Sequence, residues 1–258
     1  MFKEYDYATL DFDMMVEDIV VKVSSGGKVI DGEYVGGKWG HLMIFYGKWS
    51  ESPEDVLKYD YVGDALTTVT SFEAGELYDR TLMSEVSNGG YFNKEGTYIG
   101  KYGLYGYWQN EDVEDYLEEF EEKLLLDFQY DYIEEAGLRS AIVGYNGNRL
   151  DTDRYIDGKY GVVEYITGKV IIPPIYDSIS AYGWIGNDYM DYWVESPYGV
   201  CSNGGKYDED GFYKGGKWGI VNVKTGEEIL PVEYSLNEMN KQVKKLEEKW
   251  LEEFSVSN

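Results

Sequence analysis

The stretch GGKWG occupies residues 36–40 and returns unchanged at residues 215–219. Between these two copies, GKYG stands at residues 100–103 and again at 158–161. The aromatic residues of the four segments, here called the box aromatics, follow one another at spacings of 63, 58 and 58 residues; they are Trp39, Tyr102, Tyr160 and Trp218. Self-similarity at a fixed period of this size is typical of repeat architectures, in which each unit is one supersecondary element. The sequence therefore predicts four repeat units.

Two further markers accompany the box in the same order. A turn signal precedes each box: SSGG at 24–27, SNGG at 87–90, YNGN at 145–148 and SNGG at 202–205. Gly-Gly and Asn-Gly between β-rich runs are the residues that tight hairpin turns require. A Tyr-Asp pair opens each unit, and a partial copy follows at Glu233-Tyr234; the pairs are Tyr5-Asp6, Tyr59-Asp60, Tyr130-Asp131 and Tyr176-Asp177. Each unit is therefore predicted to be built on a β-hairpin.

The third unit resembles one unit of the bacterial WG-repeat family, through Lys159-Tyr160-Gly161, Thr167-Gly168-Lys169 and the run IPPIYD at 172–177. The last unit is similar, with KWG at 217–219 and LPVEY at 230–234. The first two units lack the Thr-Gly-Lys turn and the double proline. The resemblance implies a β-rich repeat scaffold and indicates no activity.

We expect a mainly β fold: an open array of four WG-like β-hairpin units with a period of about 58 residues. The predicted repeat domain spans residues 1–234, with units at about 5–58, 59–129, 130–175 and 176–234. A four-bladed β-propeller is the alternative. The glycine after each box aromatic indicates a bulge or a close backbone approach. We expect the box aromatics to be buried as packing anchors between repeats.

Two segments are predicted as helices. Apolar residues between Val113 and Phe128 recur at intervals of three and four, which predicts an inserted helix over about 111–129. Ser235 and Glu238 form a capping box at the start of a C-terminal capping helix, predicted at 235–258. Its apolar stripe consists of Leu236, Met239, Val243, Leu246, Trp250 and Phe254.

The composition excludes several classes of protein. The chain of 258 residues has a formal charge of −26, yet 43% of its residues are hydrophobic and 17% aromatic, too many for a disordered acidic chain. This charge disfavours binding to nucleic acids or anionic membranes. The N-terminus has no signal-peptide pattern and no apolar run is long enough to span a bilayer, so we expect a cytoplasmic protein.

Candidate catalytic residues are few. Any Ser-His-Asp or Cys-His mechanism would have to use His41, the one histidine, and Cys201 is the one cysteine. In the other three repeats the position of His41 is aliphatic (Leu104, Val162 and Ile220), which favours a structural role. The acidic loops at 151–153 and 208–211 lack the ligand spacing of an EF-hand, and no phosphate-binding loop is present. We expect no enzymatic activity, no metal and no cofactor.

The inserted segment is the most acidic part of the chain, with nine carboxylates against one lysine between residues 111 and 129. Like charges one turn apart destabilise a helix, so a basic protein docking there would account for them. The expected binding residues are Glu111, Asp112, Glu114, Asp115, Glu118, Glu119, Glu121 and Glu122. The favoured function is that of a non-enzymatic protein-binding protein, for example an immunity or inhibitor protein; the alternatives are a carbohydrate-binding module and a carboxylate-based hydrolase.

Overall fold

The computed structural model describes residues 5–11, 19–30, 32–45, 48–49, 56–64, 66–69, 80–94, 96–109, 120–137, 140–150, 154–181, 184–185, 194–195, 197–208 and 212–257. Within this part of the chain it is mainly β, with antiparallel sheets and one helix, which confirms the predicted class. The described residues divide into two compact units, the first ending at Tyr130 and the second beginning at Asp131.

The described part of the first unit contains two larger sheets and one separate two-stranded ribbon. The first sheet consists of β1 (Tyr7–Asp11), β2 (Ile19–Ile30), β3 (Glu33–Phe45) and β4 (Lys48–Trp49), in that order. The second sheet has the order β11-β10-β7-β5, with β6 also paired to β7; its strands are β5 (Tyr61–Val62), β6 (Leu66–Val69), β7 (Arg80–Ser87), β10 (Tyr102–Gln109) and β11 (Phe120–Tyr130). The separate ribbon consists of β8 (Tyr91–Phe92) and β9 (Tyr98–Ile99).

The second unit repeats this plan. The third sheet has the order β12-β13-β16-β17, with the ribbon β14–β15 between β13 and β16 in the chain; the strands are β12 (Tyr132–Gly137), β13 (Ser140–Tyr145), β14 (Asn148–Arg149), β15 (Tyr155–Ile156), β16 (Lys159–Glu164) and β17 (Lys169–Tyr176). The fourth sheet has the order β18-β21-β22-β23, and β19 pairs with β20; the strands are β18 (Ser178–Ala181), β19 (Trp184–Ile185), β20 (Val194–Glu195), β21 (Tyr198–Tyr207), β22 (Tyr213–Asn222) and β23 (Glu228–Tyr234).

The predicted inserted helix is wrong over residues 120–129. Strand β11 occupies this stretch and pairs antiparallel with β10, from Gln109↔Phe120 to Tyr102↔Tyr130. From Leu126 to Tyr130, Leu126, Phe128 and Tyr130 are buried or half-buried, while Asp127 and Gln129 between them are exposed. Leu125, next to a shift in register with β10, is buried as well. This alternation is the two-residue period of a half-buried strand, and the helical reading of the same apolar residues missed it. Residues 110–119 lie outside the described residues.

Each box aromatic lies opposite the tyrosine of the Tyr-Asp pair, or of its partial copy, that follows it in the chain. The pairs are Trp39↔Tyr59, Tyr102↔Tyr130, Tyr160↔Tyr176 and Trp218↔Tyr234. In all four repeats, therefore, the box aromatic and a tyrosine of the Tyr-Asp marker are backbone partners in antiparallel β pairing. Tyr234 of the partial copy thus takes the same position as the tyrosines of the complete pairs.

The glycine after each box aromatic lies beneath a backbone that crosses it closely. A Cβ added to Gly161 would lie 2.5 Å from the carbonyl oxygen of Ile172, and one added to Gly219 would lie 2.6 Å from that of Leu230. In both sheets the register shifts at this point, which is a bulge in the fourth strand. The predicted close approach is confirmed, and any side chain at these positions would collide with the bulged strand.

The aspartate of each Tyr-Asp pair holds the hairpin turn of its own repeat. One carboxylate oxygen accepts a hydrogen bond from a turn amide in every repeat: Gly26 N to Asp6 at 2.6 Å, Gly89 N to Asp60 at 2.8 Å, Asn146 N to Asp131 at 2.7 Å and Gly204 N to Asp177 at 2.7 Å. A charged acceptor makes these bonds stronger than neutral ones. The Tyr-Asp marker is thus hydrogen-bonded to the turn marker of the same repeat.

A tyrosine on the returning strand of each hairpin, here called the hairpin tyrosine, packs edge-on against the box aromatic. The centroid distances are 5.6 Å for Tyr34–Trp39, 6.0 Å for Tyr98–Tyr102, 5.2 Å for Tyr155–Tyr160 and 5.5 Å for Tyr213–Trp218. Such edge-to-face pairs are favourable beyond the area they bury. Three box aromatics are buried as expected, but Trp218 is only half-buried, and its Nε1 donates to the carbonyl oxygen of Gly215 at 3.0 Å.

Helix α1 (Leu236–Ser257) covers the fourth sheet, as predicted. The backbone N–H of Ser235 donates to Glu238 Oε2 at 3.0 Å, which is half of the expected capping box. Met239 and Val243 are buried against Ile220, whereas Leu236 is exposed. The side chains of Trp250 and Phe254 lie outside the described part of the structure.

Candidate functional site

His41 is enclosed in the core of the first unit. Its Nδ1 lies 3.2 Å from Ser84 Oγ, and its Nε2 has no hydrogen-bond partner among the described residues. Burial lowers the pKa of His41 to about 3, with Lys22 acting in the same direction and Asp64 opposing it. Ser84 is also buried, at 1% exposure. The pair is therefore a neutral core contact that no substrate reaches.

Cys201 lies at the centre of the second unit, with none of its surface exposed. Burial raises the pKa of its thiol to about 12, with the nearby Glu228 carboxylate acting in the same direction. The thiolate is the nucleophilic form of cysteine, so this thiol is unreactive in the folded state. Neither of the two candidates for nucleophilic catalysis occupies an accessible site.

In the acidic loops, the one described aspartate, Asp208, stabilises the tip of its hairpin. Asp208 pairs with Lys214 across the fourth hairpin and also accepts a hydrogen bond from Phe212 N at 2.8 Å. Residues 151–153 and 209–211 lie outside the described residues. Within the described ranges no group of three or more His, Cys, Asp or Glu side chains could hold a metal ion.

Of the predicted partner-binding residues, two lie in the described part of the structure and six lie outside it. Glu111, Asp112, Glu114, Asp115, Glu118 and Glu119 lie outside the described residues. Glu121 and Glu122 lie in β11, at the edge of the second sheet, in register with Trp108 and Tyr107 of β10. An edge strand offers unpaired backbone groups, and charged residues on it discourage indiscriminate pairing with other chains.

A cleft of about 320 Å³ in the second unit lies between the hairpins of the third and fourth sheets. Its polar lining residues are Asn146, Asp157, Lys159, Asp177 and Lys206, and its aromatic lining residues are Tyr145, Tyr207 and Tyr213. Tyrosine rings supply apolar area in it, and all three tyrosines are half-buried. The cleft therefore combines such area with several polar side chains.

Contacts between the two hairpins fix the floor of this cleft. Lys159 forms an ion pair with the Asp177 carboxylate, which also holds the turn at Gly204. The hydroxyl of Tyr207 lies 3.1 Å from both the hydroxyl of Tyr160 and the carbonyl oxygen of Asp177. In the first unit, Lys38 pairs with Asp60 at 2.7 Å in the equivalent position. The lysine before each of these two box aromatics therefore joins its own repeat to the next one.

The ion pair between Lys38 and Asp60 affects the pKa of the Asp60 carboxyl. Burial works against its charged form, but the N–H of Gly89 and the ammonium group of Lys38 outweigh burial and hold the pKa of Asp60 below its ordinary value. The Asp60 carboxylate is therefore ionised at neutral pH and can accept the hydrogen bond from the N–H of Gly89.

Sequence reasoning missed the cleft, although a signal was present. The third repeat has Asn146 where the other three repeats have glycine, and Asp157 where the first and fourth repeats have glycine. Both side chains line the cleft. The substitutions are visible once the four repeats are placed in register.

No helix in the described part of the chain is long and apolar enough to cross a membrane. Comparisons with protein-family models, with curated proteins and with solved structures found no match to this chain.

Proposed function

We propose that the protein is a non-enzymatic binding protein whose acidic segment, residues 111–122, engages a basic protein partner. The observation that carries the proposal is the distribution of carboxylates. The four aspartates of the Tyr-Asp pairs are used by the hairpin turns, and Glu238 caps the helix. The acidic segment, by contrast, leads into an edge strand that needs only its apolar residues for packing.

The state of the reactive side chains supports a binding role. His41 is buried and neutral, and Cys201 is buried and protonated. A net charge of −26 creates a field that attracts cationic molecules and accelerates their association. A small cationic toxin or nuclease is the kind of partner this field suits, and the protein would then act as its immunity or inhibitor protein. Membership of the WG-repeat family remains part of the proposal.

The test compares three versions of the full chain as bait. In the segment variant, Glu114, Glu118, Glu121 and Glu122 are replaced by Gln. The matched control carries the same number of Glu→Gln changes at exposed positions elsewhere: Glu227, Glu228, Glu233 and Glu248. Both variants have the same net charge, so generic attraction of cations is equal between them.

Proteins retained from the native cell at about 0.15 M salt are then quantified by mass spectrometry. We expect one basic protein to be retained by the wild type and by the control, and to be lost from the segment variant. Equal retention by the two variants would show that the segment is not the binding surface. Its charge would then serve only to protect the edge strand.

A further inference from the structure

The third repeat departs from the glycine pattern at the rim of the cleft. The turn residue that donates to the Tyr-Asp carboxylate is Gly26, Gly89 or Gly204 in the other repeats, all with positive φ, and it is Asn146 in the third. The residue two positions before the box lysine is Gly36 in the first repeat and Gly215 in the fourth, again with positive φ, and it is Asp157 in the third.

Both substitutions retain the backbone conformation that glycine accommodates best. Asn146 and Asp157 each have φ of 59°, and among the described residues they are the non-glycine residues with positive φ. This conformation strains any residue with a Cβ, although Asn and Asp tolerate it better than most. Strained residues persist where the surroundings or a function require their side chains, and they cluster at ligand sites. Here both line one cleft.

The cleft is balanced in charge within a strongly acidic protein. Lys159 and Lys206 match Asp157 and Asp177 in number. Lys159 and Asp177 pair with each other, whereas Asp157 and Lys206 are exposed and form no ion pair with another described residue. The cleft therefore offers a free donor, a free acceptor and the amide of Asn146, which both donates and accepts.

Hydroxyl groups also donate and accept, so a ligand rich in hydroxyls matches this mixed lining without needing a net charge. The half-buried Tyr207 and Tyr213 provide ring surface against which an apolar ligand face can pack. At about 320 Å³ the cleft is at the lower end of small-molecule pockets, about 300–1,000 Å³, which suits one or two sugar rings. We propose that this cleft binds a short neutral oligosaccharide, with Asn146, Asp157 and Lys206 as its hydrogen-bonding residues.

Other ligand classes fit less well. A strongly anionic ligand would meet the carboxylates of Asp157 and Asp177, and a strongly cationic one would meet Lys159 and Lys206. An extended peptide would bind mainly through backbone hydrogen bonds to a strand edge, whereas eight of the ten residues that line this cleft carry polar or aromatic side chains. This inference does not depend on the proposed binding of a basic protein.

The experiment uses saturation-transfer NMR on the full chain with five probes: maltose, cellobiose, mannobiose, xylobiose and chitobiose. The key variant is Asn146→Gly with Asp157→Gly, which introduces the glycines that the first and fourth repeats have at these two positions. The backbone N–H of residue 146 is kept, so the bond to Asp131 remains. We expect at least one disaccharide to bind the wild type, and the double variant to bind it about tenfold or more weakly because hydrogen-bonding groups are lost.

Thermal unfolding separates loss of ligand contacts from loss of fold, because the double variant should melt at the same temperature as the wild type or higher. The matched control is Gly89→Asn, which places an amide at the equivalent turn of the second repeat; it should lose stability and bind the disaccharide normally. The proposal is overturned if none of the five probes binds, or if the double variant binds as tightly as the wild type.

Discussion

The carboxylate of Asp177 accepts a hydrogen bond of 2.7 Å from the backbone N–H of Gly204, 27 residues further along the chain. The same carboxylate pairs with Lys159, which lies in the preceding repeat. One side chain thus orders the turn of its own repeat and joins that repeat to its neighbour. Equivalent turn bonds at Asp6, Asp60 and Asp131 explain why the Tyr-Asp pair recurs with the glycine turn.

Asp177→Ala should therefore destabilise the protein by about 1.5–3 kcal/mol, the contribution of a hydrogen bond to a charged group. The free energy of unfolding from urea titration measures this. Asp127→Ala is the control, because Asp127 is exposed on β11, and it should change stability by less than about 0.5 kcal/mol. Equal losses in the two variants would contradict a structural role for Asp177.

Gly161→Ala tests the close crossing of the bulged strand. The new Cβ would lie 2.5 Å from the carbonyl oxygen of Ile172, so the backbone must move, at a cost of about 1–3 kcal/mol. Gly63→Ala is the matched control, since its nearest neighbour, Glu85, lies at an ordinary 3.4 Å and its φ is not positive. The prediction fails if both variants unfold at the same denaturant concentration.

His41→Leu should make the free energy of unfolding less sensitive to acid, because it removes the titration of one buried histidine. The pKa of His41 is about 3 in the folded state against an ordinary value of 6.5, so the unfolded chain binds a proton that the folded protein excludes. This contribution to stability is complete above the unfolded pKa and is lost as pH falls below it toward 3. Leucine matches the aliphatic residues at this position in the other repeats and has no proton to bind.

Between about pH 7.5 and 5.5, the wild type should lose about 1.4 kcal/mol more than His41→Leu does. The difference between the two proteins cancels the titration of the many carboxylates they share. Parallel stability–pH curves would show that His41 takes up a proton in the folded state.

Met239→Ala should cost about 2–5 kcal/mol, because Met239, on the face of the C-terminal helix that packs against the fourth sheet, is 1% exposed and truncating it leaves a cavity. Leu236→Ala in the same helix should stay within about 0.5 kcal/mol, because Leu236 is 45% exposed. Similar melting temperatures for the two variants would mean that the helix does not stabilise the fourth sheet.

The repeat pattern allowed the mainly β class to be predicted because its markers are local and chemically specific. Gly161 and Gly219 indicated a close approach, and the structure shows the strand that makes it. Ser235 and Glu238 indicated a helix start at the correct place. In these cases the local residues and the final packing favour the same conformation.

The helix predicted for the inserted segment was wrong because there the local pattern and the long-range pairing favour different conformations. Leu124, Leu125 and Leu126 are adjacent, so the run from Phe120 to Tyr130 fits both a helical and an alternating pattern. The sheet supplies β10 as a partner, and that long-range pairing decides the outcome. The cleft was missed because Asn146 and Asp157 are ordinary turn residues in isolation. They are distinctive only against the glycines at the equivalent positions, in all three other repeats for Asn146 and in the first and fourth for Asp157.

Association kinetics with the captured basic protein test the proposed function most directly. The account predicts that the segment variant associates about tenfold or more slowly than the matched control at low salt, and that this gap narrows at about 0.15 M salt as charges are screened. Equal association rates for the two variants at both salt concentrations would contradict it.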